Sequence, residues 1–183
     1  DTDQFLASNL SFFSRSLKQV DEITSCIEFG SNIGINLSAI KLLFPNIEQH
    51  AIEINKKAVK ILSKHVPLEN IINNSILDFV PIRKWDLVLV KGVLIHINPD
   101  YLNKVYEKLI LSCSKYLLIA EYYNPTPVDV KYRGFDNKLF KRDFAGEILD
   151  KYLNFSLVDY GFVYHRDKNF QQDDITWFLL KVR

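Results

Sequence analysis

Short apolar runs and amphipathic segments alternate along the first two-thirds of the chain. The amphipathic segments carry apolar residues at helical spacing and predict helices. Asn55 is of the type that caps a helix, and the pair Asn98-Pro99 favours another helix start. The apolar runs predict strands at residues 25–29, 49–54, 70–73, 85–92 and 115–123. Strands that alternate with helices indicate βαβ units and a parallel sheet.

The last third of the chain follows a different pattern. Residues 156–165 and 175–182 are two long strand candidates, and the segment between them is polar and turn-like. This pattern predicts an antiparallel hairpin at the end of the sheet. The sequence therefore predicts a Rossmann-like α/β fold, with a doubly wound, mostly parallel seven-stranded sheet and a C-terminal antiparallel hairpin. Because no linker or internal repeat interrupts the pattern, we expect one domain over residues 1–183.

Composition narrows the class of protein. The chain has 183 residues, 48% of them hydrophobic, which is enough for one core. Its 23 basic and 22 acidic residues nearly balance, so we expect no nucleic-acid partner. No apolar run approaches the roughly 18–20 residues that span a bilayer, so we expect no membrane partner. Two cysteines in apolar surroundings, Cys26 and Cys113, indicate buried reduced thiols and a cytoplasmic protein.

A glycine-containing turn follows the first predicted strand, in the stretch EFGSNIG that begins at Glu28. A dinucleotide-binding turn has the pattern G-x-G-x-x-G, because bare backbone must approach a pyrophosphate. Counted from Gly30, the third and sixth positions are Asn32 and Ile35, which carry side chains. The turn therefore keeps an acidic residue and two glycines, the second of them Gly34. It suits a nucleoside-like ligand without a phosphate.

An acidic residue also ends the second predicted strand. Glu53 follows Glu28 by 25 positions, and a carboxylate at this strand end is placed to accept hydrogen bonds from ribose hydroxyls. The carboxyl ends of neighbouring parallel strands form the crevice where open α/β sheets bind ligands. The alternative is a turn that serves only strand-to-helix packing, with Glu53 in solvent. The joint occurrence of turn and acid favours an adenosine-like ligand.

The order of these motifs resembles that of class I S-adenosylmethionine-dependent methyltransferases. IEFGSNIG, AIEIN, NNSILDF and WDLVLVKGVLIHI occur in the family's order, followed by the terminal strand pair. The stretches VLIHINPDYLNKVYEKL, LLIAEYYNPTPV and YRGFDNKLFKRDFAGEILDKY resemble methyltransferases associated with pseudaminic acid biosynthesis. The resemblance implies S-adenosyl-L-methionine as cofactor. It also implies methylation of a small polar acceptor, such as a nonulosonic or other surface-glycan sugar or sugar nucleotide.

The resemblance assigns cofactor contacts to matching positions. Glu53 would hold the ribose, and Ile54 would lie against the adenine. Ser75 and Ile76 follow the third strand, where many relatives have an adenine-contacting Asp, and the slightly later Asp78 is the alternative. The residues beside the methionine moiety would be Glu28, Gly30, Ser31, Asn32 and Gly34.

The end of the fourth strand completes the implied cofactor site. Lys91 and Gly92 would lie next to the cofactor and face the acceptor. Relatives also carry a segment that closes over the cofactor and that would precede residue 1 here. The chain begins at Asp1 and contains no Met, so we expect this segment to be missing and the cofactor site to be partly uncovered.

Three residues are candidates for catalysis on the acceptor side. His96 follows the fourth strand, Tyr122 follows the fifth, and His165 lies at the tip of the predicted hairpin. Histidine titrates near neutral pH and can take the proton of a hydroxyl acceptor. The structural alternatives are a histidine at a helix start, a packed tyrosine and a polar turn. No recognised ligand spacing connects His165 with Asp173 and Asp174, so we expect no metal site.

A basic segment lies between the fifth strand and the terminal hairpin, in a region without a strand pattern. A long connection there predicts a substrate lid whose cations bind a carboxylate or a phosphate. The alternative is a solvated helix start. The residues of this segment are Tyr132, Arg133, Lys141, Arg142 and Asp143.

These observations favour an enzyme that O-methylates a small polar acceptor with S-adenosyl-L-methionine. The alternatives are N- or carboxyl-methylation of another small molecule, and a non-catalytic module that binds S-adenosyl-L-methionine. An NAD-linked oxidoreductase is disfavoured by the missing second glycine of the turn. The sequence leaves the acceptor and the oligomeric state open.

Overall fold

The protein is described here from a computed structural model, which covers residues 2–132 and 134–183. The side chains of residues 2, 132 and 135–138 lie outside this description. The helices are α1 (Thr2–Ser16), α2 (Ile35–Leu43), α3 (Lys56–Leu62), α4 (Pro99–Ser112) and α5 (Phe144–Lys151). The strands are β1 (Ser25–Phe29), β2 (Glu48–Ile52), β3 (Ile71–Ile72), β4 (Trp85–Lys91), β5 (Cys113–Glu121), β6 (Val128–Tyr132), β7 (Phe135–Lys141), β8 (Phe155–Val163) and β9 (Ile175–Val182).

Seven strands form one sheet in the order β3-β2-β1-β4-β5-β9-β8. The pairs among β1 to β5 are parallel, whereas β9 runs antiparallel to both β5 and β8. The predicted Rossmann-like fold with a C-terminal antiparallel hairpin is confirmed. The strand order changes direction between β1 and β4, so the carboxyl ends of these two strands border the crevice in which such sheets bind ligands.

Helices cover both faces of the sheet. Phe13 of α1, Leu37 of α2 and Leu62 of α3 belong to one buried cluster, while Leu109 of α4 and Ile148 of α5 belong to the other. The sheet lies between these two clusters, which explains why β4 and β5 are almost continuously apolar. Within the ranges given above, no helix combines the length and apolar character that crossing a bilayer requires.

Two predicted helix starts are confirmed by their capping bonds. The Asn55 side chain accepts a hydrogen bond from the backbone N–H of Lys57 at 2.9 Å, which satisfies a donor at the start of α3. Asn98 accepts from the Asp100 N–H at 3.0 Å at the start of α4. Pro99 occupies the first turn of α4, where its missing N–H costs no intrahelical bond.

Helix α1 is absent from the elements that the sequence pattern predicts. Leu6, Leu10, Phe13 and Leu17 nevertheless recur at helical spacing. Phe13 and Leu17 are buried against the sheet, and Leu6 and Leu10 pack beside them. The periodic signal was therefore present, and the helix closes one side of the ligand-binding edge.

We predicted a connection without strands in this region, and that prediction is wrong for residues 128–132 and 135–141. Strands β6 and β7 pair antiparallel there, with Val128 opposite Lys141 and Val130 opposite Leu139. The backbones satisfy each other's hydrogen bonds, and Leu139 is buried against the main core. Alternation of the valines with Asp129 gives the two-residue period of a half-buried strand.

Candidate active site

The turn after β1 adopts a backbone that only particular residues tolerate. Gly30, Asn32 and Gly34 all have positive φ, at +79°, +48° and +86°. Asn is among the few residues with side chains that adopt this conformation readily, which explains its place between the glycines. The Ser31 hydroxyl donates to the Glu28 carbonyl at 3.1 Å and stabilises the turn. The turn thus returns the chain tightly from β1 into α2.

Replacing Gly34 with alanine is expected to lower the free energy of unfolding more than the same change at Gly134. Both glycines have a φ of +86°, but a Cβ at Gly34 would lie 2.6 Å from Leu62 Cδ1, whereas a Cβ at Gly134 meets nothing within 4 Å. The shared φ costs about 1–2 kcal/mol, and overpacking against buried Leu62 adds about 1–3 kcal/mol. Urea unfolding of Gly34→Ala and Gly134→Ala measures the difference. Equal losses would show that Leu62 relaxes freely.

The carboxylate of Glu53 connects the turn after β1 with the end of β2. Its two oxygens accept hydrogen bonds from the backbone N–H groups of Asn32 and Asn55, both at 2.7 Å. Glu53 is only 8% exposed, so the alternative of a solvated Glu53 is wrong. Each carboxylate oxygen retains a further lone pair that can accept from a ligand hydroxyl. The residue is therefore held in place and still able to bind a ribose.

Residues after β2 and β3 form the next part of this edge. Ile54, directly after Glu53, is 68% exposed. The Asn73 side chain donates to the Glu53 carbonyl at 2.7 Å and to the Ile54 carbonyl at 3.2 Å, which joins the two segments. Ile76 is buried, and the Ser75 hydroxyl accepts from the Leu77 N–H at 3.2 Å. Sequence reasoning did not identify Asn73.

Asp78, the alternative adenine contact, is exposed and lies one turn further along the chain than Ser75. Its N–H donates to the Ser75 carbonyl at 3.0 Å. This bond closes a turn over residues 75–78.

Glu28 is fully buried at the end of β1. One oxygen, Oε1, accepts from the Asn36 side chain at 2.7 Å. The other, Oε2, has no hydrogen-bond partner among the residues that the structure describes. Burial raises the pKa of this carboxyl to about 7. A buried acceptor without a donor is costly, so this position fits a ligand that brings an ammonium or hydroxyl group.

Lys91 and Glu121 end the adjacent strands β4 and β5. Burial lowers the pKa of the Lys91 ammonium, and the carboxylates of Glu28 and Glu121 oppose this effect. Glu121 accepts from the backbone N–H groups of Val93 and Leu94, both at 2.9 Å. Burial raises its pKa to about 7 as well. Glu121 therefore shapes the segment that follows β4.

Gly92 lies directly after Lys91 and has a φ of +66°. Its N–H donates to the Ala120 carbonyl at 2.9 Å, which extends the pairing of β4 with β5 by one residue. A Cβ at this position would meet nothing within 4 Å. The space beside Gly92 is thus open on the side where a Cβ would project.

The structure brings two of the three catalytic candidates together. Tyr122 and His165 line one pocket of about 430 Å³, together with Lys141, Asp173 and Asp174. The Tyr122 hydroxyl donates to Asp173 at 2.9 Å. His165 Nδ1 lies 2.9 Å from both carboxylate oxygens of Asp174. Hydrogen bonding to Asp174 through Nδ1 leaves Nε2 as the ring nitrogen that can exchange a proton with a ligand.

A second pocket of about 430 Å³ adjoins the first, because His165 and Asp173 line both. Lys91 at the end of β4 lines this second pocket, as do Phe5, Ser8 and other residues of α1. We call the two pockets together the acceptor cleft. It lies where β4 and β5 end, between α1 and the β8–β9 connection.

His96 takes a different position. It lies in the 3₁₀ turn Leu94–His96 after β4 and is exposed. Among the described residues, His96 does not belong to the lining of the acceptor cleft. The signal that could have separated it from His165 is the Asp that follows nine positions after His165, since a carboxylate commonly orients a catalytic imidazole.

The described residues of the predicted basic segment make different contacts. Arg133 lies outside the described residues, as does the side chain of Tyr132. Arg142 Nε contacts Glu147 at 2.6 Å, and Asp143 caps α5 by accepting from the Gly146 N–H at 2.8 Å. These two side chains stabilise the start of α5. Lys141 alone of the described residues in this segment reaches the acceptor cleft, with its ammonium 5.3 Å from the centre of the Tyr122 ring.

Hydrogen bonds hold the carboxylates of the acceptor cleft. In the described part of the chain, no group of three or more His, Cys, Asp or Glu is placed to hold a metal ion. The pairs Tyr122–Asp173 and His165–Asp174 instead satisfy each other by hydrogen bonds. This arrangement suits proton transfer and the binding of polar groups.

Solved structures with the same fold are methyltransferases. An O-methyltransferase from the trans-AT PKS multienzyme of Brevibacillus brevis, solved with S-adenosyl-L-homocysteine, is 14% identical with a TM-score of 0.71, over 98% of this chain and 72% of that chain. The 1,6-didemethyltoxoflavin-N1-methyltransferase of Burkholderia thailandensis, solved with S-adenosylhomocysteine, is 11% identical with a TM-score of 0.75, over 100% of this chain and 81% of that chain. The N-methyltransferase NodS of Bradyrhizobium japonicum is 14% identical with a TM-score of 0.70, over 97% and 96% of the two chains.

Likeness at these identities establishes the fold. The chain has the fold of class I S-adenosylmethionine-dependent methyltransferases. No family model matches the sequence, and no curated protein matches it. The neighbours methylate oxygen in one case and nitrogen in others, so the fold leaves the acceptor atom undetermined.

Proposed function

We propose that this protein is an S-adenosyl-L-methionine-dependent methyltransferase. It works as one cytoplasmic domain and O-methylates a small polar acceptor, such as a nonulosonic or other surface-glycan sugar or sugar nucleotide. The observation that carries the proposal is the placement of Glu53, which is buried, bonded to the turn after β1, and still has free acceptor capacity. The acceptor class rests on the sequence resemblance and on the polar lining of the acceptor cleft.

The chain's residues fit this cofactor at both ends. Glu53 accepts ribose hydroxyls, with Ile54 and Ile76 beside the adenine. The unpaired Oε2 of Glu28 accepts from the cofactor's ammonium group. When bound, S-adenosyl-L-methionine supplies a methyl group that is activated by a positive sulfonium. Lys91 lines the acceptor cleft at the end of β4, beside the proposed cofactor region, which supports an acceptor in the cleft next to the methyl group.

His165 is the proposed general base. Its Nε2 takes the proton of the acceptor hydroxyl, and Asp174 stabilises the imidazolium through Nδ1. The electron pair left on the acceptor oxygen would form the bond to the methyl carbon as the carbon–sulfur bond breaks and S-adenosyl-L-homocysteine leaves. Tyr122, fixed by Asp173, positions the acceptor. His96, which is not among the described residues that line the acceptor cleft, is the second choice.

Calorimetric titration tests the cofactor. We expect saturable binding of S-adenosyl-L-methionine and S-adenosyl-L-homocysteine. NAD is expected to bind about 100-fold more weakly or worse, because the side chains of Asn32 and Ile35 occupy positions that a pyrophosphate needs bare. Preferential binding of NAD would overturn the proposed function. Binding of both S-adenosyl compounds without release of S-adenosyl-L-homocysteine from any acceptor panel would favour the non-catalytic module.

Replacing His165 with glutamine is expected to lower kcat by about 10²–10⁴-fold, because a general base is lost. The acceptor for this measurement comes from a screen of sugar acids and sugar nucleotides for S-adenosyl-L-homocysteine release. Affinity for S-adenosyl-L-methionine should stay within twofold of wild type, since His165 lies on the acceptor side. His96→Gln is the matched comparison. A larger loss of kcat in His96→Gln would transfer the base to His96.

A further inference from the structure

An apolar groove lies on the other side of the glycine turn from the acceptor cleft. It runs between α2 and α3, has a volume of about 680 Å³, and reaches α1 at one end. Ile61 and Leu42 are 42% and 59% exposed along it. Pockets of this size commonly hold small molecules. The apolar side chains of its lining are Leu6, Ile33, Ile35, Leu42 and Ile61.

The charged residues of the groove are all of one sign, beside the uncharged Ser38 and Gln49. Lys41 and Lys64 line it together with His65, and no described Asp or Glu belongs to its lining. This follows from the sequence, because residues 29–47 and 54–68 contain neither Asp nor Glu. The rest of the chain compensates, since the net charge is only +1. The groove is therefore locally basic in a nearly neutral protein.

The lysines retain donors for a ligand. Lys41 Nζ donates to the Ile47 carbonyl at 2.9 Å, which places the ammonium at the groove and leaves two of its three N–H bonds. Neither Lys41 nor Lys64 has a carboxylate within ion-pair distance among the described residues. Cations without a partner beside an apolar channel fit a ligand that has an acidic head and an apolar body.

We propose that the groove binds a single-chain amphiphile with a carboxylate or phosphate head. Its alkyl chain lies against the five apolar side chains, and its head pairs with Lys41 and Lys64. Burial of the alkyl chain provides affinity for the ligand. The two lysine ammonium groups favour a head group of negative charge. Ile33 and Ile35 flank Gly34, so the groove shares a wall with the turn of the cofactor site. The proposal does not depend on methyl transfer.

Decyl phosphate, kept below its micelle-forming concentration, is the probe in a calorimetric titration of the full chain without cofactor. We expect saturable 1:1 binding, at least about tenfold tighter than that of decyl maltoside or decyltrimethylammonium, because only the phosphate complements the lysines. Equal affinity for the cationic and anionic heads would overturn the proposal. So would the absence of saturable binding.

Matched variants localise the site. Ile61→Asp is expected to weaken binding at least about tenfold, because the bound alkyl chain would bury the carboxylate. Lys64→Glu is expected to weaken binding about fivefold, because it reverses the charge that faces the head group. Ile82→Asp and Lys60→Glu change exposed residues outside the lining and should stay within twofold. Circular dichroism confirms folding of each variant. Equal loss in Lys60→Glu and Lys64→Glu would overturn the proposal, because a diffuse basic surface would then explain the binding.

Vesicles distinguish a free amphiphile from a membrane surface. Sedimentation with phosphatidylglycerol vesicles should be no greater than with phosphatidylcholine vesicles, since the head of a bilayer lipid keeps its chains out of the groove. Strong sedimentation with phosphatidylglycerol that survives Ile61→Asp would overturn the proposal. Self-association that competes with decyl phosphate and is abolished by Ile61→Asp would also overturn it, because a second copy would then be the occupant.

Discussion

Replacing Glu53 with glutamine should weaken S-adenosyl-L-methionine binding by about 10²-fold or more. Two charge-assisted hydrogen bonds to ribose hydroxyls become neutral ones or are lost, and each such bond contributes about 1.5–3 kcal/mol. The change also acts on the protein. The glutamine amide nitrogen must face the N–H of Asn32 or Asn55, each of which donates to one carboxylate oxygen of Glu53 at 2.7 Å. The ligand and the turn therefore both lose one of the two acceptor oxygens.

Calorimetry on Glu53→Gln measures this loss, with Glu69→Gln as control. Glu69 is exposed and lies in the 3₁₀ turn before β3, so its charge is removed without touching the turn after β1. S-Adenosyl-L-homocysteine should lose affinity to the same extent, since it shares the ribose. Unchanged affinity in Glu53→Gln would remove the ribose assignment.

Replacing Glu121 with alanine should be the most damaging single change to stability. Its carboxyl accepts from the N–H groups of Val93 and Leu94 at 2.9 Å and of Ile95 at 3.4 Å. Alanine leaves these buried donors without an acceptor, at about 1–3 kcal/mol each. The expected loss is on the order of 3–5 kcal/mol, a large part of the 5–15 kcal/mol typical of a folded domain.

Urea unfolding of Glu121→Ala and Glu121→Gln separates the bonds from the charge. Glutamine keeps one oxygen acceptor of similar reach, so it should cost about 1 kcal/mol. Comparable losses in the two variants would show that the charge of Glu121, rather than its acceptor role, holds the segment after β4.

The pH dependence of the free energy of unfolding is a second test of the role of the Glu121 carboxyl. Burial raises the pKa of Glu121 from 4.5 to about 7, so the folded protein holds a proton that the unfolded chain has lost. The contribution of this bound proton to the free energy of unfolding is complete below pH 4.5. It is lost as the pH rises through 7, which lowers the free energy of unfolding by roughly 3 kcal/mol. Glutamine cannot ionise, so Glu121→Gln should lose part of this slope between pH 4.5 and pH 7. Glu28, whose pKa burial also raises to about 7, supplies the remainder.

In the proposed function, Glu28 also couples cofactor binding to its own protonation. A cationic ligand at its unpaired oxygen favours the ionised carboxylate, because an opposite charge lowers the pKa of an acid. Lys91 and Glu121 lie in the same electrostatic cluster and share this response. A cationic ligand group at Glu28 is therefore expected to shift the protonation of this buried cluster as well as of Glu28 itself.

The sequence by itself determined the elements and the turn. Strand and helix periods, the caps at Asn55 and Asn98, and the glycines that allow positive φ depend on residues within a few positions of each other. Glu53 could be singled out as well, because parallel strands bring their carboxyl ends to one edge. Even the elements that were missed, α1 and the β6–β7 hairpin, carry periodic signals of this local kind.

Only the tertiary structure decided which side chains meet. The bonds from Asn32 and Asn73 to the Glu53 segment, the three N–H groups on Glu121, and the acceptor cleft all join residues far apart in the chain. Such contacts depend on strand order and register, which no local pattern encodes. The same reason applies to the groove between α2 and α3, whose apolar lining residues come from separate parts of the chain and meet only in the folded protein.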